Sequence, residues 1–143
     1  MAELVRRLFR ETENKLSMLI KQDAASSLEK FRAFMFMEIE LTHEHVAQQP
    51  KVRESIDFIQ NERPALIREH MDKLIGLIEK VVIEGQQTGE FGPGDSKSTA
   101  EAVFAATIMF HSPFFTATNT KEELKHLCEQ VIALLGTGLL HHS

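Results

Sequence analysis

PALIREHMDKLIGLIEKVVIEGQQTGEF, from Pro64 to Phe91, decides the fold class. Ile67, Met71, Leu74, Ile75, Ile78, Val81 and Val82 recur at spacings of three and four, which gathers them on one face of a helix. The stripe predicts a helix from about Pro64 to Gln87. Asn61 is placed to cap it, and Pro64 falls in the first turn, where its missing N–H has no partner to lose. Gly89, then Gly92–Pro93–Gly94, end it.

The same periodicity extends in both directions, and no stretch alternates with a period of two. A first helix is expected from about Glu3 to Lys21 with a stripe of Leu4, Leu8, Leu16, Leu19 and Ile20. A second is expected from about Leu28 to Val46, opened by Ser26 and Glu29 at capping-box spacing. Its apolar residues, from Phe31 and Phe34 to Ile39 and Leu41, cover more than one face, which predicts a central position. Pro50 starts a short third helix lined by Val52, Ile56 and Ile59. Beyond the glycine-rich loop, a fifth helix is expected over Ser98–His111, with Ser98 and Glu101 as a second box and Pro113 as its stop. A sixth is expected over Lys121–Leu139, opened by Thr120 and Glu123. The prediction is an all-α, six-helix single domain over residues 1–143.

Composition narrows the function. The chain has 143 residues and a net charge of -5, with its basic residues scattered among acids. The densest group, Arg6, Arg7 and Arg10, reads as a solvated helix face, not a phosphate-binding patch. Ten Phe with no Trp or Tyr, plus six Met, predict a core of Phe, Met and aliphatic side chains. The single cysteine excludes an internal disulfide. No apolar run approaches the roughly 20 residues of a membrane span, and Met1–Arg10 is too charged for a signal peptide. The expected location is the cytoplasm, with no membrane partner. His141 and His142 read as a frayed tail or an expression scar.

Several stretches together resemble the ligand-binding and dimerisation half of TetR/AcrR-family transcriptional regulators. Glu62–Arg63–Pro64 through "EGQQTGEF" resembles that family's long central helix and the loop after it. "AEAVFAATIMFHSPF" resembles its penultimate helix, and the last helix corresponds to its final, dimer-forming one. The resemblance covers the whole chain in helix order, although each motif is weak by itself. It implies a homodimer whose four-helix bundle comes from the last two helices of each subunit, here built on Val103, Phe110, Leu124, Leu127, Cys128, Val131, Leu134, Leu135 and Gly138. It also implies a small-molecule effector pocket inside the earlier helices. The family's helix-turn-helix head has no counterpart in this sequence, so DNA would be reached only through an N-terminal domain outside this chain.

No phosphate loop, paired cysteines or activated nucleophile is present in the sequence. The histidines carry the chemistry that remains. His70 lies within the apolar arc of the fourth helix, His111 follows Phe104 and Ile108 on the fifth, and His43 flanks the second near Phe36. With Met71 and Leu74, these residues form the expected effector pocket. Three readings stand. The histidines contact a small lipophilic or acidic effector; they converge on a divalent metal such as Zn or Ni; or each is a core-edge residue bonded to a carbonyl or water. Glu40–His43 and Glu123–His126 also show the Glu-x-x-His spacing of di-metal carboxylate bundles. However, at roughly 100° per residue His126 falls opposite the apolar stripe of its helix. The sequence therefore predicts a binding module and no enzyme: the effector-sensing, dimer-forming core of a TetR-like repressor. A headless helical dimer that binds a partner protein is the alternative, and a di-metal bundle the remote one.

Overall fold

The computed structural model describes residues 2–140, the side chain of Ala47 excepted. Among them are seven α-helices and no strand: α1 (Ala2–Ile20), α2 (Ser27–Thr42), α3 (Pro50–Glu62), α4 (Pro64–Gln87), α5 (Ser96–Ala106), α6 (Pro113–Thr116) and α7 (Lys121–Leu139). A π-helical turn, His43–Ala47, follows α2, and a 3-10 turn, Ile108–Phe110, follows α5. The reading of His141 and His142 lies outside the described residues.

The helix ends follow their side chains, with four departures from expectation, the first being that α2 ends at Thr42 and gives way to the π turn before the expected Val46. Thr120 and Glu123 form both halves of a capping box on α7, and Ser26 Oγ accepts the amide of Glu29 at 3.0 Å. Asn61 does not cap α4, because α3 runs on through it and only Arg63 separates the two helices. α5 starts at Ser96, because the Asp95 carboxylate accepts the Ser98 amide at 2.9 Å and takes the capping position expected of Ser98. α5 also stops at Ala106, well before His111. There Thr107 turns its hydroxyl back onto the Val103 carbonyl at 2.8 Å, and the chain tightens into the 3-10 turn.

α2 packs against α1, α4 and α7, while α4 lies along α5 and also meets α1, α2 and α3. Two apolar clusters result. The larger joins Leu16 and Ile20 of α1 to Phe34, Met35 and Ile39 of α2, and to buried residues of α4, α5 and α7. The smaller joins Val5 to Val52, Ile56 and Ile59 of α3, with Leu66 and Ile67 of α4 against it. Burying side chains of this size contributes on the order of 1.5–3 kcal/mol each. Arg6, Arg7 and Arg10 are exposed on α1, as a solvated face requires.

The loop after α4 is built by its own motif. Gly85 stands where any Cβ would come within 2.2 Å of the Phe91 ring, and Phe91 is 4% exposed. Gly89 turns the chain at φ +82. Glu90 then reaches the start of α2, where its carboxylate accepts the amides of Ser27 at 2.7 Å and Leu28 at 3.0 Å. Gly85, Glu90 and Phe91 of "EGQQTGEF" thus have packing or capping roles. No helix among the described residues is long and apolar enough to cross a membrane.

Candidate functional site

A cavity of about 270 Å³ lies where the two apolar clusters meet. Phe9, Ile56 and Ile67 reach it from the smaller cluster, and Met71, Leu74 and Phe104 from the larger. The break after α5 and the π turn after α2 form the rest of its wall, contributing Ile108, His111 and Phe115 on one side and His45 and Val46 on the other.

Of the predicted pocket set, the fold brings together His70, His111, Met71, Leu74, Phe104 and Ile108 on this cavity. His43 and Phe36 are not among its lining residues. Phe36 instead packs under the Arg32 guanidinium, 4.4 Å from the ring centroid, with the Lys125 ammonium of α7 at 5.6 Å. His43 lies beside Gln48, 3.4 Å from its side-chain nitrogen. The physical reason is angular. Phe36 and Glu38 stand two residues apart and so point about 160° apart on α2, while the π turn after Thr42 sets His43 and His45. The cavity takes the Glu38 side of α2 and, from the π turn, His45 and Val46.

The same geometry leaves His43 off the cavity wall that His70 and His111 share. Among the described residues, no group of three or more His, Cys, Asp or Glu side chains is arranged to hold a metal ion. His70 is paired with Glu13 and His111 with Glu38. Nor do the Glu-x-x-His pairs meet at a di-metal centre. Glu40 holds Lys121 and Lys125 of α7, whose hydrogen bonds keep its carboxyl below the usual carboxylate range. Glu123 is spent on the cap of α7, and His126 is exposed.

Two polar pairs take the place of that centre. Glu38 of α2, in the cavity wall, is 2% exposed. Its Oε2 lies 3.3 Å from His111 Nδ1, and its Oε1 accepts the Thr42 hydroxyl at 3.4 Å. His111 stacks on Phe104, with centroids 4.6 Å apart, and its Nε2 lies 3.0 Å from the Thr107 hydroxyl. At the other end of the cavity, His70 stacks on Phe9 at 4.0 Å and bonds Glu13 at 2.6 Å. Burial pushes the Glu13 carboxyl up, but His70 and Lys73 outweigh it and hold the group below its ordinary range.

Sequence reasoning missed Glu38. The signal was available: Phe34, Met35, Leu41 and Thr42 stand three and four residues to either side, so an acid there is ringed by buried positions. His45 had no such signal, because the π turn that sets its direction is not written in the local pattern.

The predicted dimer residues divide into two groups. Val103, Phe110, Leu124 and Cys128 are at most 3% exposed within the single chain. They belong to its own core and have almost no area left for a second copy. Leu127, Val131 and Leu135 are half-buried, Leu134 is 74% exposed and Gly138 is exposed. On α5 the exposed positions are Lys97, Ser98 and Glu101 near its start and the small Ala102, Ala105 and Ala106 toward its end.

A family model described as "Tetracyclin repressor-like, C-terminal domain" matches residues 27–132, from the start of α2 into α7. The chain belongs to that family. No curated protein matches it. Membership accounts for the all-helical fold and fits the effector-binding and dimerising part of a regulator. The match begins after α1, so the helix that closes one end of the cavity lies outside the matched region.

Proposed function

We propose that this domain is the effector-sensing and dimerising core of a TetR-like transcriptional regulator, a binding module and not a catalyst. The cavity between the two clusters carries the reading. Its volume, about 270 Å³, lies near the lower end of small-molecule sites, which run from about 300 Å³ upward. Its walls are apolar and aromatic, with a few polar groups at fixed places, as such sites generally are.

α1 supplies Leu8, Phe9 and Thr12 to the wall, and its Glu13 bonds His70 of α4. An effector that favours one packing of α1 against α2 and α4 therefore shifts the position of α1 by its differential affinity. In this reading α1 transmits that shift to a DNA-binding segment outside these residues. α5 and α7 form the dimer through the exposed Ala102, Ala105, Leu134 and Gly138, with half-buried Leu127 and Val131 at the edge. Small residues let helices approach closely, and the apolar stripe on α7 gains by being covered.

Thermal unfolding against a panel of small lipophilic molecules tests the effector role, since binding to the native state raises the midpoint. A flat response across the panel discards it and leaves a partner-binding dimer. Light scattering tests the dimer. A monomer at micromolar concentration overturns that half of the reading, and Leu134→Glu is expected to convert dimer to monomer without unfolding the chain.

A further inference from the structure

We propose that the cavity takes an uncharged lipophilic molecule bearing a hydroxyl or carbonyl group, and that the His45 imidazole receives that group. The inference rests on the effector-cavity reading and names the chemistry of its ligand.

The charges on the wall are already answered. Glu11 and Lys15 line the cavity, but both are exposed, lie four residues apart on α1 and have opposite signs. Water screens them. Glu38 is buried, and its pair with His111 carries no net charge. The Thr107 hydroxyl gives its one proton to the Val103 carbonyl at 2.8 Å, so its oxygen accepts from His111 Nε2 at 3.0 Å. His111 Nδ1 and Glu38 Oε2 then approach to 3.3 Å, which requires a proton between them. Whichever atom holds that proton, imidazole and carboxyl together are neutral. A charged ligand would leave water for a wall with no counter-charge, which is unfavourable.

Hydrogen-bonding capacity lies elsewhere on the wall. Both ring nitrogens of His111 are engaged, and His70 has Nδ1 on Glu13 and its ring flat against Phe9. His45, by contrast, lines the cavity half-buried, and no group among the described residues bonds or pairs with its imidazole. No side-chain nitrogen or oxygen among those residues is buried without a partner, so both of its ring nitrogens reach open space. An imidazole both donates and accepts when neutral, which suits a hydroxyl or a carbonyl. The π turn His43–Ala47 holds it there, and such turns are rare and frequently stand at functional sites. Phe9, Ile67, Met71, Leu74 and Phe104 are left to cover an apolar body.

Probes of one shape separate the polar group from charge. 4-Ethylphenol and ethylbenzene differ by one hydroxyl, while 4-ethylbenzoate and 4-ethylbenzylamine supply the two charges at neutral pH. A wall with no partner for the hydroxyl ranks ethylbenzene first, because burying an unpaired hydroxyl is unfavourable. In calorimetric titration of the wild-type chain, 4-ethylphenol is expected to bind about fivefold more tightly than ethylbenzene, the gain of one hydrogen bond, with both charged probes weakest. His45→Leu is expected to abolish that preference and leave ethylbenzene binding unchanged. Equal or tighter binding of ethylbenzene overturns the polar anchor, and a charged probe binding tightest overturns the uncharged class; either result leaves the cavity reading intact. A phenol preference that survives His45→Leu overturns the assignment to His45. Binding of none of the four at their solubility limits overturns the cavity reading and the inference with it. If His45→Leu fails to fold, the His45 ring-proton resonances of the wild-type chain decide. 4-Ethylphenol is expected to shift them more than ethylbenzene does, and equal shifts overturn the assignment.

Discussion

His70 Nδ1 lies 2.6 Å from Glu13 Oε2, so α4 is tied to α1 beside the cavity by a bond between two side chains that are each 13% exposed. Phe9, one turn before Glu13 on α1, stacks on the same imidazole at 4.0 Å. One histidine in the cavity wall therefore holds both Phe9 and Glu13 of α1.

The Glu13 carboxyl is held below its ordinary value: burial raises it, but His70 and Lys73 lower it by more. A depressed carboxyl contributes stability in full above the unfolded value, near 4.5, and loses it as pH falls through the lower folded value. Glu13→Gln is therefore expected to cost about 1.5–3 kcal/mol at pH 7, as for other hydrogen bonds to charged groups. The gap from wild type should shrink toward pH 3. Urea unfolding at the two pH values checks this, and an equal gap at both refutes it.

Glu90 fastens the loop after α4 to the start of α2 through two backbone amides, at 2.7 Å and 3.0 Å. Its carboxylate also faces the positive end of the α2 dipole. Glu90→Ala leaves both donors to water and is expected to destabilise the fold by about 1–2 kcal/mol. Chemical denaturation gives the value, and a loss under a few tenths of a kcal/mol would show that the contact is idle.

Gly85→Ala places a methyl group within 2.2 Å of the Phe91 ring. The ring is buried against the end of the chain, where Phe91 bridges Leu140. Over-packing at such a contact costs about 1–3 kcal/mol. Pairing the change with Phe91→Leu should recover part of the loss, because the clash depends on the ring. Strict additivity in the double variant would contradict this.

Cys128 is buried in the core, and burial, with Glu129 nearby, pushes its thiol up to about 12. The thiolate is the reactive form. In the native chain at pH 8 the thiol is expected to be silent to a disulfide reagent and to react fully once urea unfolds the chain. Rapid native modification would mean that α7 opens locally.

The helix-by-helix order was legible because each apolar stripe is a local pattern with a local cap. Pro64, Thr120 with Glu123, and the Gly89 turn all act within a few residues of where they stand. The end of α5 was not legible in the same way, since the back-bonded hydroxyl of Thr107 ends the helix inside an apolar run. Four of the nine expected dimer residues are buried in the chain's own core for a related reason. Val103 and Leu134 look alike as apolar positions, yet one is 3% exposed and the other 74%. Only the partners that a helix meets within its own chain decide which side is left over.

The sequence by itself determined the all-helical class, most of the helix limits and the family, because periodicity, capping and loop motifs are properties of neighbouring residues. Tertiary structure alone decided which face of α2 borders the cavity, and how the π turn after it is set, so that Glu38 and His45, not Phe36 and His43, stand in the wall. It also decided that His70 and His111 each meet a separate carboxylate, Glu13 and Glu38. Those outcomes depend on which helices pack against one another, and residues 57 and 73 positions apart share no local signal that they will meet.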